Sequence, residues 1–286
     1  MAYNRSSMEK GKDISRRDFL KSFSTASIVL GLTPQIDFLS KISSVEPSGK
    51  ENLINYLQNP YTMILKKVSD PRIEVFALGE MHSQDDIERF AINVVDLLGQ
   101  YRLIDYLALE IDVAFKEDMD AFNKGLGMSE RLTDYLKPRH KKGYFTMMGK
   151  AQEYKIPIIC TTSLPLEKTT GTDDYISWEI INYRKSLGKP SKGLFFAGNL
   201  HVAKLEGDPL VDQLGASYVS CMIHNGKYKS YSKAYQAYVA LNLPYPVAVD
   251  NVAESPLADF LYGGEEDKWS VYRKITDSLI FLPTEV

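Results

Sequence analysis

The sequence predicts an α/β fold in which helices flank a mainly parallel β-sheet. From about residue 50 onward, the chain repeats a short apolar run, a polar turn and an amphipathic helix, which is the pattern of successive βαβ units. No run of 18 consecutive apolar residues occurs in the chain, so a full membrane span is not expected. No low-complexity linker interrupts the pattern, and we therefore expect a single domain over residues 46–286.

The first predicted strand covers residues 72–78 and ends at Gly79. A helix capped by Ser83 is expected next, because acidic residues occupy its first turn and apolar residues then recur with the period of a helix. Gly99 is expected to end that helix. The other apolar runs that predict strands lie at residues 104–111, 156–160, 193–197, 217–223 and 278–282.

Helices are predicted between these strands. Residues 114–136 are expected to form a helical insertion, interrupted at Gly125 and Gly127. A short helix is expected to begin at Pro209, since proline suits the first helical position. Longer helices are predicted at residues 146–154 and 174–187. The tyrosine-rich residues 228–245 fit the pattern poorly and are expected to form helix or loop beside the core.

The first 45 residues are predicted to be an export segment rather than part of the fold. The sequence SRRDFLK at residues 15–21 resembles a twin-arginine signal, and a weakly apolar stretch follows it. We therefore expect the twin-arginine export machinery as a partner and a periplasmic or cell-envelope location. No good small-x-small cleavage site precedes about residue 45, so inefficient cleavage and retention as a membrane anchor are both open. The alternative is an amphipathic helix with an incidental arginine pair.

The charge of the chain argues against nucleic-acid binding. The whole sequence has 34 basic and 37 acidic residues. The first 44 residues hold seven of the basic and four of the acidic ones, which leaves 27 and 33, a net charge of −6 for the remainder. An acidic body is a poor partner for a phosphate backbone. The sequence favours a small-molecule or peptide substrate.

Polar side chains follow several of the predicted strands at the point where each strand ends. Glu80 and His82 follow the first strand, Glu110 and Asp112 lie at the end of the second, and His201 follows the strand at 193–197. The carboxyl ends of parallel strands share one edge of a sheet, where such folds bind their ligands. We therefore expect these side chains to lie near one another.

Two of these histidines belong to Gly-x-x-His sequences, at residues 79–82 and 198–201. A glycine at the end of a strand permits a tight turn and a close approach of the backbone. The side chain three residues later can then point back over the edge of the sheet.

The chemistry of these side chains predicts a metal site. Imidazole and carboxylate groups together are good ligands for Mn, Co, Fe or Zn. We expect His82, Glu110 and His201 to bind the ion, with Glu80 as a further ligand or as the general base. Glu80, His82 and His201 are the expected catalytic residues. Such an ion lowers the pKa of a bound water and polarises an acyl oxygen.

The same residues carry a family resemblance. GEMH at residues 79–82 and GNLH at 198–201, with Glu110 between them, resemble the paired motifs of the Tiki/TraB/ChaN superfamily and of the related erythromycin esterase-like proteins. Residues 197–204 and 276–281 are similar to later motifs of the esterase group. The resemblance implies a metalloprotease-like, esterase-like or haem-binding role. The esterase group has one more residue between Glu and His in its first motif, which argues against macrolide esterase activity.

Other candidate residues have a simpler explanation beside the functional one. His140 lies in a basic loop, as part of a solvated surface or of a site for a substrate carboxylate. His224 is expected in a hairpin turn without a chemical role. Lys204 either orients a substrate or covers the surface, and Asp112 is either a site residue or a structural one.

The two cysteines, Cys160 and Cys221, both lie in apolar runs. Buried free thiols are expected, although a disulfide in an exported protein is the alternative. Cys160 at a strand end is also a candidate nucleophile or soft ligand.

Three functions remain open from the sequence. The leading one is metal-dependent hydrolysis of an ester or amide bond. The alternative is a haem or iron carrier of the ChaN type, for which the 18 tyrosines supply possible ligands or stacking faces. The third is an envelope protein with a degenerate site that only contacts partners.

Overall fold

The computed structural model describes residues 53–81, 84–137, 142–162, 172–204, 208–225, 233–241, 243–258 and 272–283. These residues form an α/β fold with one eight-stranded sheet, as the sequence predicts. The predicted export segment and the predicted site residue His82 lie outside these ranges, as do Ser83 and His140. The predicted division of the chain at residue 45 therefore stays a prediction.

The sheet is mostly parallel. Six neighbouring strands, in the order β8-β6-β2-β5-β3-β4, run in the same direction. At the β8 side, β7 is antiparallel to β8, and β1 is antiparallel to β7. The strands are β1 (Leu57–Gln58), β2 (Val75–Glu80), β3 (Tyr106–Asp112), β4 (Ile158–Thr162), β5 (Gly193–Gly198), β6 (Tyr218–His224), β7 (Val247–Asp250) and β8 (Ser278–Phe281).

Helices follow most of the strands, as βαβ units require. In the described part of the chain they are α1 (Pro60–Ser69), α2 (Asp85–Gln100), α3 (Lys116–Asn123), α4 (Glu130–Leu136), α5 (Lys142–Glu153), α6 (Thr172–Ser186), α7 (Asn199–Val202), α8 (Pro209–Leu214), α9 (Lys233–Val239) and α10 (Tyr272–Ile275). Among these helices, none is long and apolar enough to cross a membrane.

The core lies on both faces of the central strands. Every residue of β2, β5 and β6 is buried, which is typical of parallel strands covered by helices on both sides. On one side α2 packs against α5. The short helix α7 lies directly on β2 and β5. This arrangement leaves the carboxyl ends of the strands as the place where polar side chains collect.

Several predicted elements are confirmed with small changes of boundary. The helical insertion divides into α3 and α4, and Gly125 and Gly127 between them have positive φ angles of 79° and 84°, a conformation that glycine adopts without strain. The short helix does begin at Pro209, and the Asp208 carboxylate accepts the backbone N–H of Leu210 at 2.8 Å. These local signals were sufficient because each acts within one turn of the chain.

Other features differ from the predictions. The N-cap of α2 is Gln84, not Ser83, and its side chain makes no capping hydrogen bond. His224 is the last residue of β6 and is buried, so the predicted hairpin turn at this residue is wrong. The strands β1 and β7 were not predicted. They are two and four residues long, and they are the antiparallel strands at one side of the sheet. They therefore lie outside the repeat of parallel strand and helix on which the prediction depends.

Candidate active site

The order of the strands brings three of the predicted site residues to one place. The strand β5 lies between β2 and β3. Glu80 ends β2, Glu110 lies in the last part of β3, and His201 follows β5 on helix α7. The strand order therefore places these three residues at the carboxyl edge of three neighbouring strands.

Glu110 and His201 face each other. One carboxylate oxygen of Glu110, Oε2, accepts the backbone N–H of Gly198 at 3.1 Å. The other, Oε1, lies 3.8 Å from Nε2 of His201. Both side chains are 22% exposed, so they are held by the protein and still reachable from solvent. The glycine of the second Gly-x-x-His motif thus fixes the carboxylate that its histidine faces.

Helix α7 determines where His201 points. The amide of Asn199 donates to the backbone oxygen of Ile223 at 3.5 Å, and the hydroxyl of Tyr218 donates to that of Val202 at 3.0 Å. Both hydrogen bonds connect this single turn of helix to β6. The predicted turn at residues 198–201 is therefore a short anchored helix.

The first glycine, Gly79, has a different role from the predicted tight turn. It lies inside β2, and a Cβ atom there would come within 2.3 Å of Oδ1 of Asn199 and 2.5 Å of Cγ2 of Val202. The close approach that glycine allows is therefore the approach of α7 to the strand. Without it, the helix that carries His201 would have to move away from the sheet.

Glu80 is buried, with 3% of its surface exposed, and its Oε1 accepts a hydrogen bond from the hydroxyl of Tyr144 at 3.4 Å. Tyr144 lies on α5 and is buried as well. Burial raises its pKa well above the usual 10, and the nearby carboxylates of Glu80 and Glu110 raise it further. Tyr144 is therefore a neutral phenol that donates to Glu80.

Glu88 positions the helix that carries Tyr144. Its buried carboxylate lies in the first turn of α2 and accepts the backbone N–H of Gly143 at 3.0 Å. A Cβ atom at residue 143 would come within 2.2 Å of Oε2 of Glu88, so this close contact requires glycine. The pair fixes the start of α5 at the carboxyl edge.

Tyr144 and Glu88 were not among the predicted site residues. The one available signal was helical: Tyr144, Met147, Met148 and Ala151 are buried on one face of α5, at the spacing of an apolar stripe. Such a stripe predicts a core position, and nothing in it distinguishes a hydroxyl that reaches a carboxylate from an ordinary core tyrosine.

Asp112 and Lys204 have structural roles in this fold. Oδ1 of Asp112 caps the 3₁₀ turn Val113–Phe115 by accepting the N–H of Ala114 at 2.9 Å. The ammonium group of Lys204 pairs with Asp277 at 2.7 Å. Both contacts account for these side chains without a substrate.

The two cysteines are free and buried. Cys160 lies on β4 and Cys221 on β6, with three strands between them, about 19 Å at the usual spacing of strands, so they do not pair. Burial raises the pKa of the Cys160 thiol to about 12. A thiol with such a pKa is a poor nucleophile and a poor ligand near neutral pH, and the simpler explanation holds for both residues.

His224 reaches the same edge of the sheet from β6. Its ring stacks on Phe281 at a centroid distance of 5.9 Å. Burial lowers its pKa to about 4, so the ring is neutral at physiological pH. His224 is thus a buried, uncharged ring at the end of β6.

In the described ranges, no group of three or more His, Cys, Asp or Glu side chains is arranged to hold a metal ion. The structure brings together two of the predicted ligands, Glu110 and His201, and places Glu80 next to Tyr144. The fourth, His82, lies outside the described residues. The predicted metal site and the predicted catalytic residues thus remain predictions.

No protein-family profile and no curated protein matches the chain. Solved structures do. A succinoglycan biosynthesis protein is 10% identical over 82% of this chain and 96% of its own, with a TM-score of 0.64. A Bacillus cereus protein is 12% identical over 77% and 90%, with a TM-score of 0.55. These two similarities confirm the fold and, at such identities, nothing beyond it.

A third structure is ChaN of Campylobacter jejuni, which binds haem cofacially. It is 17% identical over 79% of this chain and 92% of its own, with a TM-score of 0.45.

Proposed function

We propose that the protein binds a divalent metal ion through Glu110 and His201 and hydrolyses an ester or amide bond at the carboxyl edge of its sheet. The observation that supports this is the 3.8 Å separation of Oε1 of Glu110 and Nε2 of His201. Two ligands that each lie about 2.1 Å from one ion in a tetrahedral site are about 3.4 Å apart. If the distance between these two atoms shortened by a few tenths of an ångström, both could bind the same ion.

The anchoring of Glu110 favours the same arrangement. Because Gly198 holds Oε2, the oxygen Oε1 keeps its direction toward His201. Hydrogen bonds of this kind orient the carboxylates that bind metals in proteins. His82, two residues beyond the end of β2, is proposed as the third ligand. The bound ion would polarise an acyl oxygen and activate water.

Glu80 is proposed to transfer the proton. The Tyr144 hydroxyl holds its Oε1 at 3.4 Å and, with its raised pKa, stays protonated throughout the neutral range. A carboxylate held in this way can accept a proton from water and deliver it to a leaving group. Tyr144 is a positioning residue in this scheme. The substrate class is a small ester, amide or peptide.

The test starts with protein purified without chelator. We expect a bound divalent metal by elemental analysis, and hydrolysis of simple acyl esters that EDTA removes and added metal restores. The H201A variant should lose both metal and activity while its thermal unfolding stays cooperative. Protein that contains no metal and stays inactive with added Mn, Co, Fe and Zn would overturn the proposal.

A second candidate function is haem binding, with His201 as the ligand of the iron. The observation that favours it is the turn of helix that carries His201: its imidazole is accessible, and the preceding residue, Leu200, exposes 46% of its surface. An exposed apolar residue on the element that carries an accessible imidazole suits the face of a porphyrin better than it suits a polar substrate.

Titration with haem separates the two candidates. Haem binding would be supported by two results together. The parent protein shows a saturable visible absorption band that H201A lacks, and the parent hydrolyses no ester. If neither metal nor haem binds, the protein is better explained as a non-catalytic envelope component.

A further inference from the structure

A cavity lies at the amino edge of the sheet, opposite the edge that carries Glu110 and His201. Its volume is about 350 Å³, and it is bounded by the end of α6, the residue before β2 and the segment that leads into β5. Its polar lining consists of Glu74, Arg184, Lys185, Lys189, Ser191 and Gln213. Glu74 and Glu80 are six residues apart along one strand, or about 20 Å. This cavity is therefore separate from the proposed active site.

Two buried polar atoms of this lining have no hydrogen-bond partner within the described residues. They are Nε of Arg184 and Oγ of Ser191. Ser191 is 4% exposed. A buried N–H without an acceptor is rare in folded proteins and costly when it occurs. Both groups can donate a hydrogen bond, so both indicate that an acceptor from outside the described residues binds in this cavity.

The charge of the lining selects the kind of acceptor. Three cationic side chains, Arg184, Lys185 and Lys189, surround the cavity, and among the described residues Glu74 is the one carboxylate that lines it. Glu74 binds Nη2 of Arg184 at 2.5 Å. This ion pair leaves the Nε side of the guanidinium group available to a second oxygen.

The two lysines differ in their surroundings. Lys189 lies 3.4 Å from the carboxylate of Asp105, with 63% of its side chain exposed. Lys185 is exposed and lies in the last turn of α6. The cavity therefore keeps a net positive charge after its ion pairs are counted.

We propose that this cavity binds a phosphate group. Guanidinium, ammonium and hydroxyl donors that converge on one point are the groups that proteins use for tetrahedral oxyanions. The volume is at the lower end of the range for small-molecule sites, which fits a phosphorylated small molecule as well as inorganic phosphate. Arg184 and Ser191 would bind the oxygens, and Lys185 would supply charge from the rim.

The test is calorimetric titration of the full chain with inorganic phosphate and with glycerol phosphate, against chloride at equal ionic strength. EDTA is present throughout, so that phosphate held by a metal at the other edge does not contribute. We expect saturable binding of at least one phosphate compound. Tighter binding of the ester would identify a phosphorylated metabolite as the ligand, and equal binding would identify the free anion.

Three variants make the test specific. S191A should weaken binding by about tenfold, since it removes a hydrogen bond to a charged group. K185Q should weaken it by about fivefold through the loss of one nearby charge. K124Q, which makes the same change in a cavity on the other face of α6, should bind as the parent does.

The controls keep this proposal independent of the proposed function. H201A should bind phosphate like the parent, because it changes only the other edge of the sheet. If S191A fails to fold, the exposed K185Q decides the test. Absence of binding for both phosphate compounds, or binding that K185Q leaves unchanged, would overturn the proposal.

Discussion

Oε1 of Glu110 lies 3.8 Å from Nε2 of His201, while the other oxygen of Glu110 is held by the backbone N–H of Gly198. Residues 110 and 201 are far apart in the sequence, and the pairing of β3 with β5 brings them together. This contact is the part of the candidate site on which the proposed function most depends.

Replacement of Glu110 by glutamine should weaken metal binding. E110Q keeps the shape of the side chain and removes the charge that a divalent ion requires, so we expect the dissociation constant to rise by at least about tenfold. Titration calorimetry with Mn²⁺ or Zn²⁺ measures this. D134N removes a carboxylate that is 60% exposed on α4 and should bind metal normally. Equal metal affinities of E110Q and the parent would show that Glu110 is not a metal ligand.

Removal of the Tyr144 hydroxyl should affect both stability and activity. Y144F takes away the donor to the buried carboxylate of Glu80, at a cost of about 1–3 kcal/mol in the free energy of unfolding. We expect a lower kcat with little change in KM, because the proposed role of Tyr144 is to position Glu80 and not to bind the substrate. The matched control is Y154F. It removes a tyrosine hydroxyl that donates to the partly exposed carboxylate of Asp96, so it should leave kcat unchanged. A Y144F enzyme with the parent kcat would show that this hydroxyl has no positioning role.

Gly79 and Gly149 should respond to alanine in opposite ways. A Cβ atom at residue 79 would overlap Asn199 and Val202, and such overpacking costs about 1–3 kcal/mol. At Gly149, within α5, a Cβ atom meets nothing within 4 Å, so G149A should stabilise the protein by about 0.5–1 kcal/mol. Urea unfolding of both variants measures the difference. An unchanged midpoint for G79A would contradict the close approach of α7 to β2.

The buried ring of His224 should make stability depend on pH. Its folded pKa of about 4 lies below the unfolded value of 6.5, so the unfolded chain binds the proton more tightly. Its contribution is fully present above pH 6.5 and is lost as pH falls toward 4. From this group alone, we expect about 2 kcal/mol less stability at pH 5 than at pH 7.

Urea unfolding at several pH values between 5 and 7 measures this loss. The H224Q variant lacks the titrating ring and should show a smaller decrease over the same interval. If the parent and H224Q lose stability in parallel, the decrease comes from other groups and the buried neutral ring is not its cause.

The export segment can be tested in a bacterial host that has the twin-arginine route. The variant with R16K and R17K together keeps the charge and changes the paired arginines that the signal resembles. We expect the parent in the periplasmic or envelope fraction and the double variant in the cytoplasmic fraction. The single variant K10R, outside the motif, serves as the control. Export of the double variant at the parent level would exclude this route.

The α/β class, the helical insertion and the polar residues that follow each strand could be predicted from the sequence. These features depend on signals that act over a few residues: the period of apolar positions, proline at a helix start and glycine at a break. The location of Glu80, Glu110 and His201 at the carboxyl edge was predictable for the same reason. Each of them lies at or just beyond the end of an apolar run.

The order of the strands, which determines which polar residues meet, became known from the folded structure. It paired Glu110 with His201, placed Tyr144 on Glu80 and moved His224 from a predicted turn to a buried strand end. It also explained why residue 79 is a glycine: a side chain there would overlap a helix that lies more than a hundred residues later in the chain. Such contacts arise from the packing of distant segments, and packing has no local pattern in the sequence.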